Sequence, residues 1–142
     1  MQLSCRGRYA ARAMFELALN YGQGPLPLST IATNEGISKK YLNQLMGPLK
    51  LAGLVRVVRG KNGGFALARP PSEIALAGIL YAIEGDMSLI DCVKEPSVCD
   101  RSSKCSSRVI WSDLSHLIND YLQSTTLEDI LKKEHPNMSP LG

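Results

Sequence analysis

"LSTIATNEGISKKYLNQL", residues 28–45, is the stretch on which the fold turns. Ile31 and Ala32 open an apolar face, Gly36 falls four residues after Ala32, and Ile37, Leu42 and Leu45 continue the face beyond it. This is helix-turn-helix spacing. A small residue at Ala32 lets two helices cross closely, Gly36 supplies a backbone conformation that is costly for residues with a Cβ, and Ser38 can cap the open amides of the second helix. Any helical hairpin shows part of this pattern, so the flanking residues decide what the motif is for.

A second helix starting near Lys39 turns Lys39, Lys40, Asn43 and Gln44 outward, with Ser38 at its head and Leu42 and Leu45 packed inward. Asn and Gln can pair bidentately with adenine edges, and Lys can reach guanine or a phosphate. The plainer reading is a polar helix face that only meets water. Pro48, about two and a half turns in, predicts a kink or one lost hydrogen bond. Downstream, "LVRVVRGKNGGFALARPP" predicts two short strands, Leu54 to Val58 and Phe65 to Ala68, joined by a glycine-rich tip. A hairpin directly behind a recognition helix is a wing, with Arg59 and Lys61 placed to touch the DNA backbone or enter a minor groove. "GKNGG" is not a phosphate-cradling loop, because it lacks the Gly-x-x-x-x-Gly-Lys-Ser/Thr order and no helix follows it. Upstream, Ala10, Ala13, Met14, Leu17, Ala18 and Tyr21 recur at three- and four-residue steps, predicting a scaffold helix that ends within Gly22 to Pro27.

Charge agrees with a polyanion partner. Residues 1–70 hold ten Lys and Arg against Glu16 and Glu35, whereas residues 71–142 hold six against eleven acidic residues. A basic half suits nucleic acid through counterion release, and a solvated basic face is the alternative. At 142 residues the chain holds one domain, or a small domain with an arm, and needs no disulfides to be stable. The opening "MQLSCRGRYAARAMFELAL" carries charge where a secretory signal needs an apolar run, and no run approaches membrane-spanning length. The expectation is a bacterial-type cytoplasmic protein.

"DCVKEPSVCDRSSKC", residues 91–105, holds Cys92, Cys99 and Cys105 with six and then five residues between successive thiols. In a reducing compartment such clusters more often bind metal or do redox chemistry than form structural disulfides. Thiolates are soft ligands suited to iron–sulfur iron. Zinc is the rival, although zinc knuckles usually have two-residue gaps, and a trio of unligated thiols is the plain alternative. Next, "SRVIWSDLSHLINDYLQS" places Val109, Ile110, Leu114, Leu117, Ile118, Tyr121 and Leu122 at helical spacing, with Trp111 offset. Thr126 is an expected N-cap for one more short helix, and 136–142 an expected loose tail.

The order "GRYAARAMFELA", "GISKKYLNQL", "LVRVVRGKNGGFAL", "AIEG" at 82–85, three cysteines, "WSDL" and "TTLEDIL" resembles, over nearly the whole chain, the winged-helix repressor family that includes IscR, NsrR, RirA and CymR. The resemblance implies a mostly α fold with a small β-hairpin: a winged helix-turn-helix region over 1–70, a connecting helix over 71–91, a cysteine loop over 92–105, and a long dimerisation helix with a short C-terminal helix over 106–135. It implies a homodimeric DNA-binding regulator, expected to be a repressor, on a palindromic double-stranded operator of roughly 25 base pairs.

The cysteine trio places the chain nearest the IscR type, in which three such cysteines hold a [2Fe-2S] cluster; a [4Fe-4S] cluster is the alternative. The implied role is sensing cluster status, with iron–sulfur assembly or related iron and cysteine genes as targets. Relatives supply a fourth ligand that this chain lacks: the IscR histidine position is Arg108, and the NsrR acidic position is Arg8. Cys5, from the partner subunit, is the first candidate to replace it, with a free thiol as the alternative. His116 is the next candidate, and Asp91, Asp113, water or a small thiol follow. Some IscR members carry Glu where Asn43 stands, so DNA binding here is expected to depend less on the cluster. A cluster-free CymR-like repressor of sulfur metabolism is a second reading. A small redox or electron-transfer protein is a third, but no Cys-x-x-Cys or His/Cys/Asp constellation supports catalysis, and no enzymatic activity is expected.

Overall fold

The computed structural model describes residues 3–85 and 106–134. In chain order these form α1 (Cys5–Leu19), α2 (Leu28–Glu35), α3 (Lys39–Leu51), β1 (Val55–Val58), β2 (Gly64–Leu67), a 3-10 turn (Pro71–Glu73), α4 (Leu76–Glu84), α5 (Ser106–Ser124) and α6 (Leu127–Glu134). The fold is mostly helical with one antiparallel hairpin in the described residues, as expected.

Local chemistry sets each boundary. Ser4 Oγ accepts the Gly7 N–H at 3.2 Å and starts α1. Gly36 ends α2 with φ 64° and ψ 34°. Its N–H reaches the Thr33 carbonyl while the Ile37 N–H reaches that of Ala32, the paired bonds of a left-handed glycine cap. Ser38 Oγ then accepts the Tyr41 N–H at 3.1 Å, so only three residues separate α2 from α3. α3 runs on through Pro48 to Leu51, and Pro48, lacking an N–H, forgoes one helical hydrogen bond. The strands pair Val55 with Leu67 and Val58 with Gly64.

Several boundaries differ from expectation: the strands expected over Leu54 to Val58 and Phe65 to Ala68 run Val55–Val58 and Gly64–Leu67. Of the connecting region expected over 71–91, residues 86–91 lie outside the described residues; the rest holds a 3-10 turn at Pro71–Glu73, where Pro70 and Pro71 lack N–H donors, and then α4 from Leu76 to Glu84, with Gly85 following at φ 75°. Tyr21 lies beyond the end of α1 but still packs against the core.

One apolar cluster holds the head together. Ala10, Ala13, Met14 and Leu17 of α1, Ile31 of α2, and Leu42, Leu45, Met46 and Leu49 of α3 are all essentially inaccessible to solvent. Each buried Leu or Met contributes about 1.5–3 kcal/mol. Leu127 and Leu131 of α6 join the same cluster, although they come from the far end of the chain. A smaller cluster, Ala77, Leu80 and Leu122 with Ile118, joins α5 to α4.

α6 is anchored at its start. Thr126 Oγ1 accepts the Asp129 N–H at 3.1 Å while Asp129 accepts the Thr126 N–H at 2.9 Å, a reciprocal capping box. That backbone hydrogen bond, with help from the Thr126 hydroxyl, Lys132 and Lys133, holds the Asp129 carboxyl below its usual range against the opposing effect of burial. A depressed carboxylate adds stability above its unfolded pKa and loses it as pH falls through the folded value. Thr126→Ala is expected to cost about 0.5–2 kcal/mol in urea unfolding at neutral pH. Asp129→Asn should show a deficit at neutral pH that disappears in acid below the ordinary carboxylate range.

Candidate nucleic-acid interface

α3 divides its residues between two faces. Leu42, Leu45, Met46 and Leu49 are buried, whereas Lys39, Lys40, Asn43 and Gln44 are exposed on the opposite side. None of these four side chains hydrogen-bonds or ion-pairs with another described residue, so their polar groups are open to a ligand. Ser38 stands at the head of the face as the N-cap, where the helix N-terminus adds partial positive charge. Such a face offers two amides that can read base edges and two ammonium groups that can meet phosphate.

The hairpin behind α3 carries Arg59 and Lys61 on its exposed tip, again without partners among the described residues. Both glycines at the base of β2 are needed for close approach. A Cβ on Gly63 would collide with the Val58 carbonyl, and one on Gly64 with the Leu26 carbonyl. The second approach exists because Leu26, in the α1–α2 connection, pairs with Phe65 through bonds of 2.8 and 2.9 Å. The wing is therefore tethered to the segment that leads into α2. An isolated two-stranded hairpin is marginal in water, and this tether supplies a third strand-like neighbour.

Cys92, Cys99 and Cys105 lie outside the described residues. Among the described residues no group of three His, Cys, Asp or Glu side chains is placed to hold a metal. Cys5 is exposed in the first turn of α1, where its Sγ accepts an N–H from Arg8 at 3.1 Å. His116 is exposed on α5. Both candidate fourth ligands thus stand at the surface of the described residues. No described helix is long and apolar enough to cross a membrane.

α5 has two apolar stripes. Ile118 and Leu122 pack toward α4, where Tyr81 also donates its hydroxyl proton to Asn119 Oδ1. Ile110, Leu114, Leu117 and Tyr121, at steps of four, three and four, are 60%, 40%, 66% and 55% exposed. The first stripe is part of the intramolecular core, and the second is exposed.

Sequence reasoning treated α1 as scaffold alone and passed over its polar face, where Tyr9, Arg12 and Glu16 meet α2 and α3. The spacing of three and four residues was the available signal.

Comparison with known proteins places this geometry. The family model described as Rrf2, an iron-dependent transcriptional regulator, matches residues 3–133. The HTH-type transcriptional regulator IscR of Photorhabdus laumondii subsp. laumondii is 37% identical over 134 residues, covering 94% of this chain and 81% of the relative. The structure of CymR, the global cysteine regulator of B. subtilis, is 34% identical with a TM-score of 0.82, covering 94% of this chain and 98% of that one. That of T. potens IscR is also 34% identical, with a TM-score of 0.79, covering 100% and 94%.

Proposed function

The chain belongs to the Rrf2 family of transcriptional regulators, and we propose that within it the protein is a homodimeric repressor of IscR type, working in the cytoplasm and tuned by an iron–sulfur cluster. Membership makes it a DNA-binding regulator rather than an enzyme. The observation that carries the DNA contacts is the open, unpartnered face of Lys39, Lys40, Asn43 and Gln44 beside the buried Leu42 and Leu45. In this reading Asn43 and Gln44 read base edges, Lys39 and Lys40 meet phosphate or guanine, and Ser38, Arg59 and Lys61 hold the backbone.

The exposed stripe Ile110, Leu114, Leu117 and Tyr121 supports dimerisation. Its four-three-four spacing is that of a coiled-coil seam, and a second copy would bury it by two-fold symmetry. A dimer also matches a palindromic operator, one head to each half-site.

Cluster sensing rests on the donor set. Cys92, Cys99 and Cys105 supply three soft thiolates, which fit iron–sulfur iron, and IscR-named relatives match most of the chain. A bound [2Fe-2S] cluster, or [4Fe-4S] as the alternative, would supply a centre whose occupancy and charge follow iron supply and oxidants. Arg108 is cationic and a poor ligand, so Cys5 of the partner subunit is the proposed fourth donor, with His116 next. The second reading, a cluster-free repressor, is favoured by the similarity to CymR.

Three measurements test these assignments. In gel shifts against a panel of base-pair mismatches, Gln44→Ala should lose about 1–3 kcal/mol of discrimination at one position. Arg59→Ala should weaken binding evenly and lower the salt slope by about one; equal, sequence-independent losses for both would remove the division of roles. Leu117→Glu should sediment as a monomer and lose affinity for the palindrome, while a variant that remains dimeric discards the α5 seam. Anaerobic purification should yield iron, sulfide and a visible absorption spectrum that change in Cys5→Ser. Unchanged absorption and resonance spectra in both Cys5→Ser and His116→Ala would exclude both ligands, and a metal-free parent would favour the CymR-like reading.

A further inference from the structure

Beside its buried stripe, α1 carries a polar row, Tyr9, Arg12 and Glu16, which lies against the turn that presents α3. Arg12 Nε donates to Glu35 Oε2 at 2.6 Å, and its Nη2 donates to the main-chain carbonyl of Glu35. Glu35 is the last residue of α2, so this carbonyl is one of the four that the helix cannot satisfy internally. A cation there also meets the negative end of the α2 dipole. The same guanidinium lies over the Tyr9 ring, 5.4 Å from its centroid. Tyr9 in turn meets Tyr41 edge to face, with centroids 5.9 Å apart and planes at 90°. Tyr41 belongs to the first turn of α3. One turn further along α1, Glu16 accepts an N–H from Asn34 at 3.1 Å. A single side chain is thus bonded to the residue before the turn and stacked, through Tyr9, on the first helical turn after it.

An arginine in a DNA-binding head is ordinarily read as a phosphate contact. Arg12 differs from Arg59 in having two N–H groups already committed to Glu35, whose carboxylate is only 13% exposed while Arg12 is 47% exposed. Base readout needs its groups held within roughly 0.5 Å and 10–20°. We propose that Arg12 is a positioning residue for operator selection: it fixes the tilt of α3, through Glu35 and the Tyr9–Tyr41 pair, and so aims Asn43 and Gln44. The proposal rests on the DNA-binding reading and is independent of the cluster.

The test titrates the full-length parent, Arg12→Gln, Arg12→Lys and Glu35→Gln against two duplexes at several salt concentrations. One duplex is a palindrome that the parent selects from randomised DNA; the other is a scrambled duplex of the same composition. The readout is the ratio of the two affinities, with melting temperature measured alongside. Arg12→Gln is expected to lose about tenfold on the selected duplex and to keep the parent's affinity and salt slope on the scrambled one. Arg12→Lys keeps the charge without the two-point geometry, and should also lose discrimination at an unchanged slope. Glu35→Gln alters no cation, yet should lower the ratio as well, which keeps the proposal open to refutation if Arg12→Gln melts too low to titrate.

Equal losses on both duplexes, with the slope reduced by about one and Arg12→Lys behaving as the parent, would make Arg12 a phosphate contact and overturn the proposal. A parental ratio in Arg12→Gln or in Glu35→Gln overturns it too. A parent that selects no duplex refutes the DNA-binding reading itself, whereas a selecting parent with parental ratios in the variants sinks only the role of Arg12.

Discussion

The outward face of α3 is usable only because its inward face is fixed. Leu42, Leu45, Met46 and Leu49 are buried against α1 and α2, and the left-handed cap at Gly36 brings α3 onto that surface within three residues of the end of α2. A turn with less freedom at position 36 would need more chain, and α3 would no longer sit where Ala32 and Ile31 await it. The polar side of the helix therefore inherits its direction from apolar packing. The same division recurs at the wing, where Val55 and Leu67 are buried and the tip projects freely.

Two independent connections brace this arrangement. The Leu26–Phe65 bridge joins the wing to the lead-in of α2, and the Arg12–Glu35 pair joins α1 to its exit. α2 is thus held at both ends by contacts that leave its solvent side clear. α5 stands apart from this bracing, since it touches α4 through Ile118, Leu122 and Asn119 and leaves its second apolar stripe in solvent. A helix with one stripe satisfied and another exposed keeps apolar surface in water that, in the proposed dimer, a second copy would cover.

The turn was legible in the sequence because its chemistry is local. Ala32, Gly36, Ser38 and the Leu42–Leu45 pair lie within fourteen residues, and each has one dominant reason to be there. The exposed set on α3 followed from helical periodicity, and the wing from "RGKNGG" between two apolar runs. What escaped was non-local. Arg12 and Glu35 are 23 residues apart, and nothing in either neighbourhood announces the other. The tether of Leu26 to Phe65 was hidden for the same reason, although the doubled glycine hinted at a close neighbour. The start of α4 at Leu76 follows from the two prolines before it, a signal that an element taken over from the resemblance did not use. The cysteine trio lies outside the described residues, so its reading still rests on residue type, spacing and resemblance.

The return of α6 to the head has a consequence for how the protein is made. Leu127 donates its amide to Ile74 and packs, with Leu131, into the cluster that contains Met14 and Leu45. More than a hundred residues of chain separate Met14 from Leu127, so this core has high contact order. During synthesis the first three helices emerge long before the residues that close their cluster. The nascent head must wait with part of its apolar surface uncovered until Leu127 and Leu131 have left the ribosome, and the core beneath the DNA-binding face is consolidated only then.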